Sequence, residues 1–96
     1  MRRQQTQSID AAILDFLRDS GLEKNLLQRR VVELWPTIMG DMVARLTRSV
    51  DIENGVLIVK LSSAALKAQL FDMRFDLVRK MNTAVGAEVI RDVRLY

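Results

Sequence analysis

Cysteine and histidine are both absent from this 96-residue chain, and their absence removes several kinds of chemistry. Without cysteine there is no disulfide and no thiolate nucleophile, and without either residue a zinc site is not expected, because carboxylates alone suit harder cations. General acid-base catalysis near neutral pH would need a carboxylate or lysine strongly shifted by burial. We therefore expect no catalytic residue, no bound metal and no cofactor, and a binding function instead of an enzymatic one.

Long apolar runs are also missing. No stretch approaches the roughly 18 residues of a membrane span, and the polar residues 1–7 are not followed by the apolar segment of a secretion signal. These features predict a cytoplasmic protein with no membrane partner. A chain with 49% hydrophobic and 28% charged residues suits one domain with one core. We expect residues 8–96 to form this domain and residues 1–7 to be a flexible basic arm.

The clearest local signal is Asn54-Gly55, which stands between two segments of alternating hydrophobicity. A type I′ turn needs positive φ at both central residues, and asparagine and glycine tolerate this conformation best. The flanking segments, Leu46–Glu53 and Val56–Leu61, are therefore predicted to be the strands of a hairpin.

Helical periodicity accounts for most of the remaining chain. The pattern predicts helices at Ile9–Ser20, at Leu22–Leu34 with Pro36 as its stop, at Pro36–Ala44 with a break at Gly40, and from a cap at Ser62 or Ser63 to Val85, followed by a strand at Val89–Tyr96. Apart from the short helical piece, the order is ααββαβ. It predicts an α+β fold with a three-stranded, mainly antiparallel sheet and helices on one face, in the strand order 2-1-3.

Arginine dominates the basic residues, with 11 arginines against 4 lysines, and 12 carboxylates are interspersed among them. A guanidinium group pairs bidentately with phosphate or carboxylate, so this bias permits contact with nucleic acid or with an acidic partner. A mixed charged surface is also usual for a soluble domain, and the adjacent pair Arg29-Arg30 is best explained as a solvated helix face.

Two patches are candidates for binding. The outer face of the predicted sheet combines basic groups with an aromatic ring that could stack a base; its members are Thr47, Ile58, Lys60, Arg94 and Tyr96. The long helix carries an apolar shoulder away from its main stripe, formed by Phe71, Phe75 and Val78 with Lys67 and Arg74 between them. This shoulder either packs against the sheet and the first helix or contacts a partner.

Other polar groups have simpler explanations. Ser62 and Ser63, with Lys67 one helical turn beyond, stand at a strand-to-helix junction where free amides need acceptors, so we interpret them as a helix cap and not as a nucleophile. The carboxylate pairs Asp51/Glu53 and Asp72/Asp76 have oxygen ligands that suit a divalent cation. We do not expect a cation there, because pairs such as Asp72 and Asp76, four residues apart on the polar face of a helix, are mostly solvated.

An ordered set of residues carries a family resemblance. The set comprises Trp35-Pro36, Gly40, residues 54–59, residues 61–63, Leu70, Asn82, Gly86 and Val93-Arg94-Leu95. Over roughly residues 8–96 it resembles the bacterial DciA-like family, formerly a domain of unknown function. The resemblance implies a KH-like fold and a role in loading or regulating the replicative DNA helicase, which would be the protein partner.

The chain departs from this pattern in two respects. Binding of nucleic acid by KH domains depends on a Gly-x-x-Gly loop between two helices, and neither residues 19–23 nor residues 36–40 supply it. Longer family members continue into a basic tail associated with helicase and single-strand contact, whereas this chain resembles a short, single-domain form. Whether this form retains helicase loading is left open.

These observations predict a non-enzymatic adaptor of DNA replication that contacts the replicative helicase, single-stranded nucleic acid, or both. The candidate electropositive contact residues are Arg2, Arg3, Lys60, Lys67, Arg74 and Arg94, with Tyr96 as a stacking group and Phe71 and Phe75 as protein-contact groups. Two alternatives stay open: a protein-interaction or oligomerisation module without affinity for nucleic acid, and an RNA-binding regulator.

Overall fold

The computed structural model describes residues 12–13 and 22–96. Its elements are α1 (Glu23–Met39), α2 (Asp41–Arg45), β1 (Thr47–Glu53), β2 (Val56–Leu61), α3 (Ala64–Asp72), α4 (Arg74–Val85) and β3 (Asp92–Leu95). The α+β class is confirmed. The basic arm, residues 1–7, lies outside the described residues, as does the predicted helix Ile9–Ser20 except for residues 12–13. The KH-like fold stays a prediction.

The predicted hairpin is present with its turn at Asn54 and Gly55, whose φ angles are 54° and 78°. β1 and β2 pair in antiparallel fashion, and the register shifts between Thr47 and Ser49. A bulge of this kind turns the bulged strand. The alternation predicted Thr47 on the outer face of the sheet, and this prediction is wrong. The hydroxyl of Thr47 instead forms hydrogen bonds with the helical layer.

Two hydrogen bonds fix Thr47 in this position. The indole Nε1 of Trp35 donates to Thr47 Oγ1 at 3.1 Å, and Thr47 Oγ1 donates to the carbonyl oxygen of Val43 at 2.7 Å. Trp35 is only 1% exposed, so its single polar atom is satisfied inside the core. The pair ties α1 and α2 to the start of the sheet.

The predicted strand order 2-1-3 is wrong. The order is β1-β2-β3, and β3 runs parallel to β2, so the sheet is mixed and not mainly antiparallel. The composition of β2 gives the physical reason. Leu57 and Val59 are fully buried, and a strand with such residues is best covered in the centre of a sheet, with a neighbour on each side.

Pro36 does not end the helix that contains it, contrary to the prediction. α1 continues to Met39 and stops at Gly40, where φ is 93° and the backbone N–H donates to the carbonyl of Pro36. An internal proline costs about 3 kcal/mol. The packing of Trp35, Ile38 and Met39 in or against the core offsets this cost, because it holds the last turn in place.

The long helix predicted from residue 62 or 63 to Val85 is two helices, α3 and α4, which meet at Met73. Neither glycine nor proline marks this junction, and it also lacks the Gly-x-x-Gly loop. The break divides the apolar stripe between two sets of partners: α3 packs on β2 and β3, whereas α4 packs on α1 and β3. The predicted stop at Gly86 is confirmed, with φ 84° in the left-handed region.

The core lies between the sheet and the helices. Its buried members are Val31, Trp35, Val43, Leu57, Val59, Leu66, Leu70, Leu77, Met81, Ile90 and Val93. Every element of the described residues except β1 contributes at least one of these side chains. The core therefore joins the helical layer to β2 and β3.

Asn82 of α4 holds the chain that leads into β3. Its Oδ1 accepts from the backbone N–H groups of Val89 and Ile90 at 2.9 and 3.0 Å, and its Nδ2 donates to the carbonyl of Ile90 at 2.8 Å. These bonds take the place of a sheet ladder, which explains why β3 begins at Asp92 and not at Val89.

We predict that Asn82→Ala lowers the free energy of unfolding by about 2 kcal/mol or more, because it removes partners from half-buried backbone groups. Urea denaturation followed by circular dichroism measures the change. The matched control is Thr83→Ala, an exposed neighbour on α4, for which we expect a change within about 0.5 kcal/mol. Equal losses in the two variants would contradict the role of Asn82.

Candidate functional site

A shallow groove runs along one side of β3. It is lined by Phe71 and Arg74, which flank the α3–α4 junction, and by the five consecutive residues 92–96. Successive residues of a strand point to opposite faces of a sheet. All five can line one groove only if the groove follows the edge of the strand. β3 is such an edge, since β2 is its only strand neighbour among the described residues; we call this feature the edge groove.

Arg74 is held between two aromatic rings on the helical side of the edge groove. Its guanidinium carbon Cζ lies 4.1 Å from the ring centre of Phe71 and 4.7 Å from that of Phe75, and its Nη1 donates to the carbonyl of Phe71 at 3.2 Å. Such stacking restricts the side chain while leaving other guanidinium donors available. Arg74 is therefore oriented before any ligand arrives.

The rings that hold Arg74 are exposed. Phe71 is 52% and Phe75 is 64% exposed, so these two rings are not buried against the sheet, and their contact with a partner stays a prediction. Val78, the third member of the shoulder, is half-buried against the core. Two exposed phenylalanines beside one arginine form an apolar and cationic patch, a composition suited to contact with a protein.

Arg94 and Tyr96 stand on the strand side of the edge groove. Arg94 is exposed and pairs in register with Ile58. The backbone of Tyr96 extends the ladder, because its N–H donates to the carbonyl of Val59 at 2.9 Å and its carbonyl accepts from the N–H of Leu61 at 2.8 Å. Tyr96 is 54% exposed. The structure thus brings members of the two predicted patches together in one place.

The other predicted contact residues do not line the edge groove. Lys60 is exposed on β2 and Lys67 is exposed on α3, one turn before Phe71. Phe75 does not line the groove, but its ring contacts Arg74, which does. Arg2 and Arg3 lie outside the described residues. The lysines can add positive potential around the groove without forming part of its wall.

The sequence analysis did not predict three of the residues that line the edge groove, namely Asp92, Val93 and Leu95. The carboxylate Oδ1 of Asp92 accepts from the backbone N–H of Val93 at 2.8 Å, and Asp92 places an acidic group in an otherwise basic groove. The available signal was an aspartate at the start of a strand, because its short side chain readily bonds a neighbouring amide.

Of the hydroxyl pair, Ser63 has the capping role that we predicted, whereas Ser62 does not cap the helix. Ser63 Oγ accepts from the backbone N–H of Leu66 at 3.1 Å and caps α3, while Ser62 Oγ donates to the carbonyl of Leu46 at 3.2 Å.

Asp76 forms an ion pair with Arg79. Within residues 12–13 and 22–96, no group of three or more acidic side chains could hold a metal ion. No helix in the same part of the chain is long and apolar enough to cross a membrane.

Comparison with known proteins gives the family. The family model described as "Dna[CI] antecedent, DciA" matches residues 8–95. The chain belongs to the DciA family. Among curated proteins, this DciA chain is similar to a UPF0232 protein of Mycobacterium tuberculosis, with 27% identity over 89 residues, 93% of this chain and 48% of that protein. It is also similar to a UPF0232 protein of Mycobacterium leprae, with 30% identity over 81 residues, 84% of this chain and 43% of that protein.

The DciA chain spans about half the length of the curated relatives that it matches. Family membership is consistent with a protein of DNA replication. The residues that line the edge groove lie within the matched part of the chain, except Tyr96, which directly follows it.

We predict that the Nε–H proton of Arg74 resonates upfield of its usual position, because the guanidinium lies over the faces of two rings. Phe71→Leu should move this resonance downfield, since the closer ring is lost. NMR of the 15N-labelled DciA chain measures the shift. Met42→Leu, a change of another exposed apolar residue, serves as the control and should leave the resonance in place. An Arg74 signal at its usual position in the unchanged chain would contradict the stacking.

Proposed function

We propose that this DciA chain is a non-enzymatic adaptor of DNA replication that contacts the replicative helicase, single-stranded nucleic acid, or both through the edge groove and its basic surroundings. The observation that carries the proposal is the convergence of Arg74, Arg94, Phe71 and Tyr96 on one groove. Family membership supports the replication context.

The groove has the groups that a single strand requires. The guanidinium groups of Arg74 and Arg94 can each take a phosphate bidentately, and the exposed ring of Tyr96 offers a face on which a base can stack. Lys60 and Lys67 enlarge the positive field, which speeds the encounter with a polyanion. Binding of this type is tolerant of sequence and strongly dependent on salt.

The same groove offers a surface to a protein. Phe71 and Phe75 are the exposed apolar groups, and an arginine between aromatic rings is a composition enriched at interfaces. Because the rings already restrict Arg74, a partner carboxylate would meet an ordered guanidinium, and less side-chain entropy would be lost on binding. This surface is the proposed contact for the helicase.

The first test is the binding of a fluorescent single DNA strand at several salt concentrations. We expect a steep fall of affinity with salt, and Arg94→Gln should reduce the slope of log affinity against log salt by about 0.7 for one lost phosphate contact. Arg45→Gln, which changes an exposed arginine of α2 outside the groove, is the control with the same charge change and should alter the slope less. Binding without salt dependence, or equal effects of the two variants, would contradict phosphate contact in the groove.

A second strand separates DNA from RNA. An RNA strand of the same sequence should bind no more tightly than DNA if the chain acts in replication. A clear preference for RNA, read through the 2′-hydroxyl, would favour the RNA-binding regulator instead.

The second test asks whether the helicase is contacted directly. We expect the immobilised chain to retain purified replicative helicase both with and without nuclease, and Phe75→Ser to reduce retention several-fold because an exposed aromatic contact is lost. Met42→Ser is the matched control, since Met42 is exposed to a similar extent, 61% against 64%. Retention only in the absence of nuclease would show tethering through nucleic acid. Loss of retention in both arms, together with failure of strand binding, would contradict the adaptor function.

A further inference from the structure

Besides its basic side chains, β3 has a second element that can recognise a ligand, namely the backbone edge that faces away from β2 and pairs with no other strand of the described residues. Along a strand in a parallel ladder, residues alternate between those bonded to the neighbour and those whose N–H and C=O point away from it. Tyr96 is bonded to β2 through both its N–H and its C=O. By this alternation, the backbone groups of Val93 and Leu95 point away from β2 and into the edge groove.

Asp92 supports this orientation independently. Its carboxylate accepts the N–H of Val93, which places that N–H outside the ladder with β2. A charged side chain at a strand edge limits pairing with other chains. Asp92 therefore covers one edge amide, and the backbone of Leu95, two residues further along, is left as the pairing position.

We propose that the edge groove binds an extended acidic peptide segment of a protein partner, which adds to β3 as a fourth strand. The inference rests on the proposed adaptor function in one respect only, which is that the peptide belongs to a partner protein. Backbone hydrogen bonds to Leu95 supply the pairing, and the peptide's carboxylates meet Arg74 and Arg94. Its apolar side chains lie on the exposed rings of Phe71 and Tyr96.

Charge and backbone chemistry select this occupant. Strand addition needs the alternating N–H and C=O groups of a peptide, which a nucleic acid does not have. The groove presents two arginines against one aspartate, and Lys67 lies nearby on α3. Residues 1–7 carry Arg2 and Arg3 and no carboxylate, so this segment has the wrong charge to fill the groove.

The test measures the anisotropy of a fluorescent nonapeptide in which glutamate alternates with valine, titrated with the full chain. We expect binding, together with slower hydrogen exchange at the amide of Leu95. N-methylation of alternate peptide amides removes donors to the strand edge and leaves the side chains unchanged. It should weaken binding about fivefold, because the peptide N–H that donates to the carbonyl of Leu95 is lost.

Variants of the chain separate side-chain attraction from strand pairing. Arg94→Glu should weaken binding at least tenfold, whereas Arg45→Glu, with the same charge change outside the groove, should leave it within twofold. Asp92→Ala should tighten binding several-fold, because it uncovers the amide of Val93 and removes a repelling carboxylate.

Three outcomes would overturn the proposal: no binding of the glutamate peptide, equal binding of the N-methylated peptide, or a dimer of this chain that already protects Leu95. If the peptide does not bind while the single strand or the helicase still binds, this inference is wrong and the proposed adaptor function still stands. If the peptide binds and slows hydrogen exchange at Leu95, but neither the helicase nor the single strand binds, the peptide site at the edge still stands and the adaptor function is wrong.

Discussion

The parallel pairing of β3 with β2 is the constraint on which the candidate site depends. It places Tyr96 at the end of the ladder, bonded to Val59 and Leu61. In the part of the chain that the structure describes, no strand pairs with the other side of β3. Asn82 makes this pairing possible because it binds the backbone of residues 89 and 90 and so delivers the chain to the sheet. Without this placement, Arg94 and Tyr96 would not meet Phe71 and Arg74.

Local signals in the sequence predicted local structure well. Asn54-Gly55 predicted the turn, the pair Ser62-Ser63 predicted the helix cap that Ser63 provides, and Gly86 predicted the helix stop, because each depends on the conformational or hydrogen-bonding properties of one or two residues. Local signals failed to predict helix ends where tertiary packing determines them. Pro36 stays inside α1 because the core holds the last turn, and α3 ends at Asp72 without a breaker because its stripe and that of α4 serve different partners.

The sequence predicted several residues of the candidate site but not that they lie together in one groove. Arg74, Arg94, Tyr96, Phe71 and Phe75 were all named from charge and periodicity, yet they were assigned to two separate patches. Their grouping depends on the strand order and on the junction at Met73, and both are set by long-range packing, which has no signature in a short window of sequence. Asp92 was missed because its role belongs to the edge of a strand whose position was predicted wrongly. The result is an oriented arginine, a second arginine and two exposed rings along an edge of β3 that pairs with no further strand within residues 12–13 and 22–96.

The strand order is the central claim, and backbone proximity measured in solution tests it most directly. If β3 lies parallel to β2, the amide proton of Tyr96 is close to the α-proton of Lys60, since the N–H of Tyr96 donates to the carbonyl of Val59. The structure predicts a strong nuclear Overhauser effect between these two protons. Overhauser effects that instead join the backbone of β3 to that of β1 would contradict it, because that order separates Arg94 from Phe71 and Arg74.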